Sequence, residues 1–137
     1  MSIGMLHLHH YLPFVFFSLL IINIFRSFQG NIENPKEDKL LLFTMVLAHV
    51  QLLIGLFLLF PFPEIEMSVI MKDSAIRFKY IEHPSMMLIA VILITIAKSK
   101  SKRIEDVSKA NKTIYTYFII VLVLIVLGTP WPELFKL

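Results

Sequence analysis

The chain has 137 residues, of which 57% are hydrophobic, and 13 Lys and Arg against 10 Asp and Glu give a net charge of +3. An ordinary soluble domain is about 45–50% apolar. The excess here falls in membrane-length blocks, which predicts a single integral membrane domain over residues 1–137 and leaves no room for a separate soluble catalytic domain. The absence of cysteine excludes disulfides, iron–sulfur clusters, zinc–thiolate sites and covalently attached haem, and the basic balance of such a chain reads as topology rather than nucleic-acid binding.

A spanning helix needs about 20 apolar residues, within a range of about 17–25. The first apolar stretch, Leu6 to Phe25, ends at Arg26 and predicts a helix over about residues 5–27. The second, Leu40 to Phe60, lies between Lys39 and Pro61 and predicts a helix over 39–60. The third is mixed from Ala75 to Glu82 and apolar from Pro84 to Ala97, which predicts a helix over 76–98 with Pro84 in its early turns, where proline is tolerated. The fourth, Thr113 to Thr129, predicts a helix over 112–129, with Trp131 just beyond it as an interfacial anchor. The expected fold is all-α, a four-transmembrane-helix bundle of up-down topology. The N-terminus lacks a basic leader and an A-x-A-like site and is not read as a signal peptide.

Charge sets the orientation. The first and third connections carry nine basic residues: Arg26, Lys36, Lys39, Lys98, Lys100, Lys102, Arg103, Lys109 and Lys112. The other side carries four, Lys72, Arg77, Lys79 and Lys136. Positive connections stay in the cytoplasm, so both termini are expected outside.

Histidines carry the chemistry. An ionisable side chain at mid-helix in hydrocarbon costs about 2.5–3.5 kcal/mol when charged, so such residues default to function. His9 and His10 open the first helix, His49 lies in the middle of the second and His83 opens the third. At 3.6 residues per turn His9 shares a face with Pro13, Phe16, Leu20, Asn23 and Ser27, while His83 shares one with Met87, Ala90, Ile94 and Ala97. Both faces read as inward, and the two histidines lie at matched depth on parallel helices. That is the arrangement two axial imidazoles require, and it makes non-covalent haem b the leading cofactor. His49 lies more than 100° from the Thr44, Ala48, Gln51 and Gly55 stripe of its helix, and is the second choice of ligand. Arg77 and Lys79 are candidates for haem propionates, and Glu82 for orienting a ligand imidazole. The blander alternatives are interfacial roles for His7 and His10 and plain flanking charges for Arg77, Lys79 and the run from Lys98 to Arg103. The fourth helix has no ionisable residue from Ile114 to Thr129 and reads as a packing wall. The first and third helices echo each other weakly: each starts with histidine and proline and ends on a basic residue.

The segments LHLHHYLPF (6–14), FTMVLAHVQLLIGLFLLF (43–60) and YIEHPSMMLIAVILITIAKSKSK (80–102) resemble small four-helix bacterial membrane proteins commonly labelled cytochrome b. They are also distantly similar to one half of haem A synthase. The resemblance covers about 100 residues. It implies that histidines at the outer ends of alternate helices clasp a haem. Gln51, Ile54 and Gly55 match the pattern of the intervening helix, His83 matches one ligand, and His9 or His10 the other. His49 has no counterpart in that pattern, the acidic residue ahead of the first ligand is missing before His9, and there is one four-helix unit instead of two. These departures favour haem carriage or electron transfer over haem modification.

The expectation is a b-type haem protein of the bacterial inner membrane, acting in electron transfer near the outer face. It would work alone, as a homo-oligomer or as a subunit of a larger complex, with quinol or a membrane redox complex as partner and no nucleic acid. The alternatives are a non-enzymatic accessory subunit and outer-face copper or zinc handling by His7, His9, His10 and His83. Acid–base or nucleophilic catalysis has no support: no Asp or Glu lies deep in a helix, Ser18 has no evident base, and no phosphate-binding or HExxH pattern is present.

Overall fold

The computed structural model describes residues 3–135, so Lys136 of the charge count lies outside the described residues. The chain forms α1 (Ile3–Phe28), α2 (Lys39–Leu59), α3 (Met67–Lys72), α4 (Ser74–Ser101), α5 (Val107–Gly128) and α6 (Trp131–Leu134). Of these, α1, α2, α4 and α5 are long and apolar enough to cross a membrane, which makes this a multi-pass membrane fold.

Aspartate caps set three of the helix starts, one at the predicted boundary and two ahead of it. Asp38 caps α2 by accepting from the Leu41 N–H at 2.8 Å. Asp73 accepts from the N–H groups of Ala75 and Ile76 and starts α4 at Ser74, two residues before the predicted start. Asp106 accepts from Ser108 and Lys109 and starts α5 five residues early. Hydropathy misses these turns because capping residues and polar first turns carry no apolar signal, although each leaves backbone donors that a carboxylate satisfies. At the other end of α2, Phe60 turns extended (ψ 144°) as expected of a residue preceding proline.

The four long helices pack in cyclic order α1–α2–α4–α5 and back to α1. Thus α1 and α4 stand on one diagonal and α2 and α5 on the other. The face of α1 read from the sequence is the buried one: Phe16, Leu20, Asn23 and Ser27. On α4 the buried set includes Ala90, Ile94 and Ala97. Those alanines let α5 approach closely, and its Ile114, Phe118 and Val121 are fully buried. Lipid is as apolar as the core, so such close contact, rather than escape from water, drives helix association.

The basic end of the bundle is tied by polar contacts. Buried Asn23 donates through Nδ2 to Thr44 Oγ1 at 2.8 Å, joining α1 to α2. Arg26 Nη1 donates to Asn23 Oδ1 at 2.7 Å, and the same guanidinium forms a two-pronged ion pair with Asp38. The connection after α1 is then fastened to the other two spans. Asn111 of α5 brackets the Ile32 backbone, accepting from its N–H at 3.1 Å and donating to its carbonyl at 2.9 Å. Lys98 of α4 donates to the Pro35 carbonyl at 3.1 Å. At the opposite end Trp131 packs edge-on against Phe17 and donates its indole N–H to the Val126 carbonyl.

Burial would raise the Asp38 carboxyl, but hydrogen bonds from Arg26 and the Leu41 N–H and the charges of Arg26 and Lys98 outweigh it and hold it below 3.8. A carboxyl lowered on folding contributes stability above its unfolded value, and that contribution is lost as pH falls through the lower folded value. Asp38→Ala is expected to lower stability by about 1–2 kcal/mol through loss of the cap and ion pair. Thermal unfolding in detergent checks this, and Asp38→Asn should flatten the decline in stability below pH 3.8.

Candidate functional site: a histidine pair between prolines and glycines

Two prolines shape the histidine end. Pro13 lies inside α1 and has no N–H, so the carbonyl four residues earlier, that of His9, has no helical donor. In hydrocarbon no water takes that place. Gln51 of α2 does: its Nε2 donates to the His9 carbonyl at 2.7 Å. One turn along α2, Gly55 lies against the His9 ring. A Cβ at Gly55 would stand 2.9 Å from His9 Cε1, so only glycine leaves room for the imidazole. Gln51 and Gly55 together form a saddle in which His9 sits.

In α4 the corresponding disturbance is a π-helical turn at Phe78–Glu82. The His83 N–H bonds to the Phe78 carbonyl, five residues back instead of four. Pro84 is the cause on steric grounds, since its ring crowds the carbonyl of residue 80 in regular α geometry. The extra residue in the turn sets the direction of His83. Its Nδ1–H donates to the Gly128 carbonyl at 2.6 Å, in the last turn of α5 where carbonyls lack helical donors. A carbonyl only accepts, so Nδ1 carries the proton and Nε2 keeps a lone pair. Gly128 permits the approach, because a Cβ there would stand 2.8–2.9 Å from atoms of Met86 and Met87.

His9 and His83 meet across the bundle diagonal, with ring centroids 6.4 Å apart and planes at 82°. Metal–imidazole bonds of about 2.0–2.1 Å on opposite sides of one ion, with each nitrogen about 1.2 Å from its ring centre, give a centroid separation of about 6.4 Å. Among the described residues no group of three or more His, Cys, Asp or Glu gathers to hold a bare metal ion. Two imidazoles alone suit a metal whose other four positions are already filled, as in a porphyrin. His9 and His83 are the residues that would hold such a group, and the flanking helices α2 and α5 carry Gln51 and Gly55 beside His9 and Gly128 beside His83.

The remaining predicted residues are placed elsewhere. His10 packs edge-on against Tyr11 and Phe14, and His7 stacks on Tyr11. The copper- or zinc-type cluster of His7, His9, His10 and His83 is therefore not assembled, since successive histidines on a helix point 100° apart. His49 is not brought to the pair. Its Nδ1–H donates to the Met45 carbonyl at 2.8 Å, and its Nε2 lies 3.4 Å from the exposed Thr95 hydroxyl on α4. Thr95 is twelve residues past His83, or about 18 Å along the helix. Glu82 does not orient an imidazole: it accepts from Arg77 Nε at 2.6 Å, and Gly128 takes the role expected of it. Arg77 also donates to the Met71 carbonyl of α3, which occupies it on the protein. Lys79 is exposed and lies over the Tyr80 ring, 5.3 Å from its centre. The fourth span is more than a wall, since its last-turn carbonyl aims His83. No side-chain pattern marks a backbone acceptor. Pro13, four residues after His9, was the available sign that the His9 carbonyl needs an outside donor.

The chain matches no family model, no curated protein and no solved structure.

Gly55→Ala gains about 0.8–1 kcal/mol in helix propensity, whereas overpacking a helix contact costs about 1–3 kcal/mol. A net destabilisation of up to about 2 kcal/mol is expected, read as a lower unfolding temperature. The His9 ring resonances should shift in the same variant.

Proposed function

We propose that this chain is a b-type haem protein of the bacterial cytoplasmic membrane, with His9 and His83 as axial ligands, acting in electron transfer near the outer face. The single observation that carries this reading is the His9–His83 pair: two imidazoles on diagonal helices at the separation one metal ion requires. The surroundings support it as well: Gln51 and Gly55 of α2 seat His9, and the Gly128 carbonyl of α5 fixes the His83 ring. Bound haem supplies a one-electron redox centre whose potential follows axial ligation and burial.

The protein's part is to hold and shield. The Gly128 carbonyl keeps His83 in the form with Nε2 free. Gly55 leaves the His9 ring its place, and Phe16, on the same face of α1, closes the core beneath it. Lys79, exposed on the π turn, is the cation best placed for a propionate, because Arg77 is engaged by Glu82. Electrons pass to or from quinol in the same bilayer, or a larger membrane redox complex in which the chain is a subunit. The basic connections lie in the cytoplasm, which puts the histidine end and both termini outside.

Protein purified in detergent with haem supplied should show a sharp Soret band that shifts on dithionite reduction. His9→Ala and His83→Ala should each abolish the six-coordinate spectrum, and His49→Ala should leave it. A colourless product, or an unchanged spectrum in both alanine variants, overturns the assignment. Orientation has its own check, because the chain has no native cysteine. Ser68→Cys should react with an impermeant thiol reagent on intact spheroplasts, and Lys102→Cys only after lysis.

A further inference from the structure

Among the described residues, two buried side-chain polar atoms lack a hydrogen-bond partner: His9 Nδ1 and Gln51 Oε1. They belong to residues already joined, since Gln51 Nε2 donates to the His9 carbonyl. That bond settles the amide orientation. A carbonyl accepts only, so the amide nitrogen must face it, and turning the amide over would set two oxygens against each other. Oε1 is therefore the free acceptor beside His9. The orphan atoms are complementary in sense, because Nδ1 of a neutral imidazole carries a proton in one of its two tautomers and Oε1 only accepts. Buried polar atoms are almost always paired, directly or through an ordered water.

We propose that Gln51 is the positioning residue for His9: its Oε1 takes the Nδ1–H, directly or through one water, and so leaves the lone pair on the His9 Nε2. Gln51 then does for His9 what the Gly128 carbonyl does for His83. It does so from both ends of one amide, with Nε2 meeting the carbonyl that Pro13 leaves open and Oε1 meeting the ring. Gly55, one turn along, backs the ring from the same helix. Both histidines are thereby held with Nδ1 protonated and Nε2 bare, each by a neighbouring span on the other diagonal. This inference rests on the haem reading only for why the tautomer matters; the tautomer itself belongs to the haem-free protein.

The test uses full-length, haem-free protein labelled with ¹⁵N-histidine, with His9→Phe to assign the signal. Wild type should show His9 with Nδ1 protonated and Nε2 bare. Gln51→Leu should lose that signature in favour of the other tautomer. Wild-type His9 with Nε2 protonated overturns the proposal, and so does a Gln51→Leu variant whose signature is unchanged. Should Gln51→Leu fail to fold, the wild-type tautomer still decides. Wild-type protein that binds no haem while keeping the Nδ1–H tautomer sinks the haem reading and leaves the positioning intact.

Discussion

In the hydrocarbon of a bilayer bulk water does not complete hydrogen bonds, so polar groups in the four spans rely on partners held within the bundle. Seven hydroxyls meet this locally. Ser18, Ser27, Thr44, Thr95, Thr113, Thr116 and Thr129 each donate to the carbonyl four residues back. Prolines prevent a local solution at two places. Pro13 opens the His9 carbonyl and Pro84 accompanies the π turn before His83. In the first case the gap is closed from α2 by Gln51. In the second the chain inserts an extra residue, and His83 is carried round to the end of α5. The same constraint that makes these prolines costly makes them the points where one span must engage another.

The two ends of the bundle divide the work. At the basic end, Asn23, Thr44, Arg26 and Asp38 form a connected polar set. Asn111 and Lys98 fasten the first connection to α5 and α4. All four spans are thereby held in register from one side. At the histidine end the contacts are sparser, and rely on what is missing: a side chain at Gly55 and Gly128, a proton donor at Pro13. Each of these absences is filled by a side chain from another span: the His9 ring at Gly55 and Met86 and Met87 at Gly128.

His49 illustrates how depth separates residues that composition groups together. It lies six residues before Gly55, about 9 Å along α2 from the level of the His9 ring. Its Nδ1–H is held by the Met45 carbonyl, and Nε2 lies beside the Thr95 hydroxyl. The Thr95 hydroxyl has one proton and spends it on the Val91 carbonyl at 2.8 Å, which leaves the 3.4 Å contact to His49 weak. His49 thus stands at mid-span apart from the pair, tied to its own helix through Met45.

Hydropathy blocks alone determined the four spans, because burying backbone in lipid demands long uninterrupted helices. Helical phase alone determined the inward faces of α1 and α4, because Phe16, Leu20, Asn23 and Ser27, like Ala90, Ile94 and Ala97, recur at the turn period. The matched depth of His9 and His83 followed from the up-down order. The cap-led starts of α4 and α5 and the capture of Glu82 by Arg77 turn on polar contacts two to five residues apart, which hydropathy does not register. Tertiary structure decided the aiming of His83 by Gly128, which depends on a distant backbone atom that is the same in every residue. A backbone carbonyl has no letter in a sequence, and only the packing of α5 against α4 brings that of Gly128 within reach of an imidazole 45 residues away.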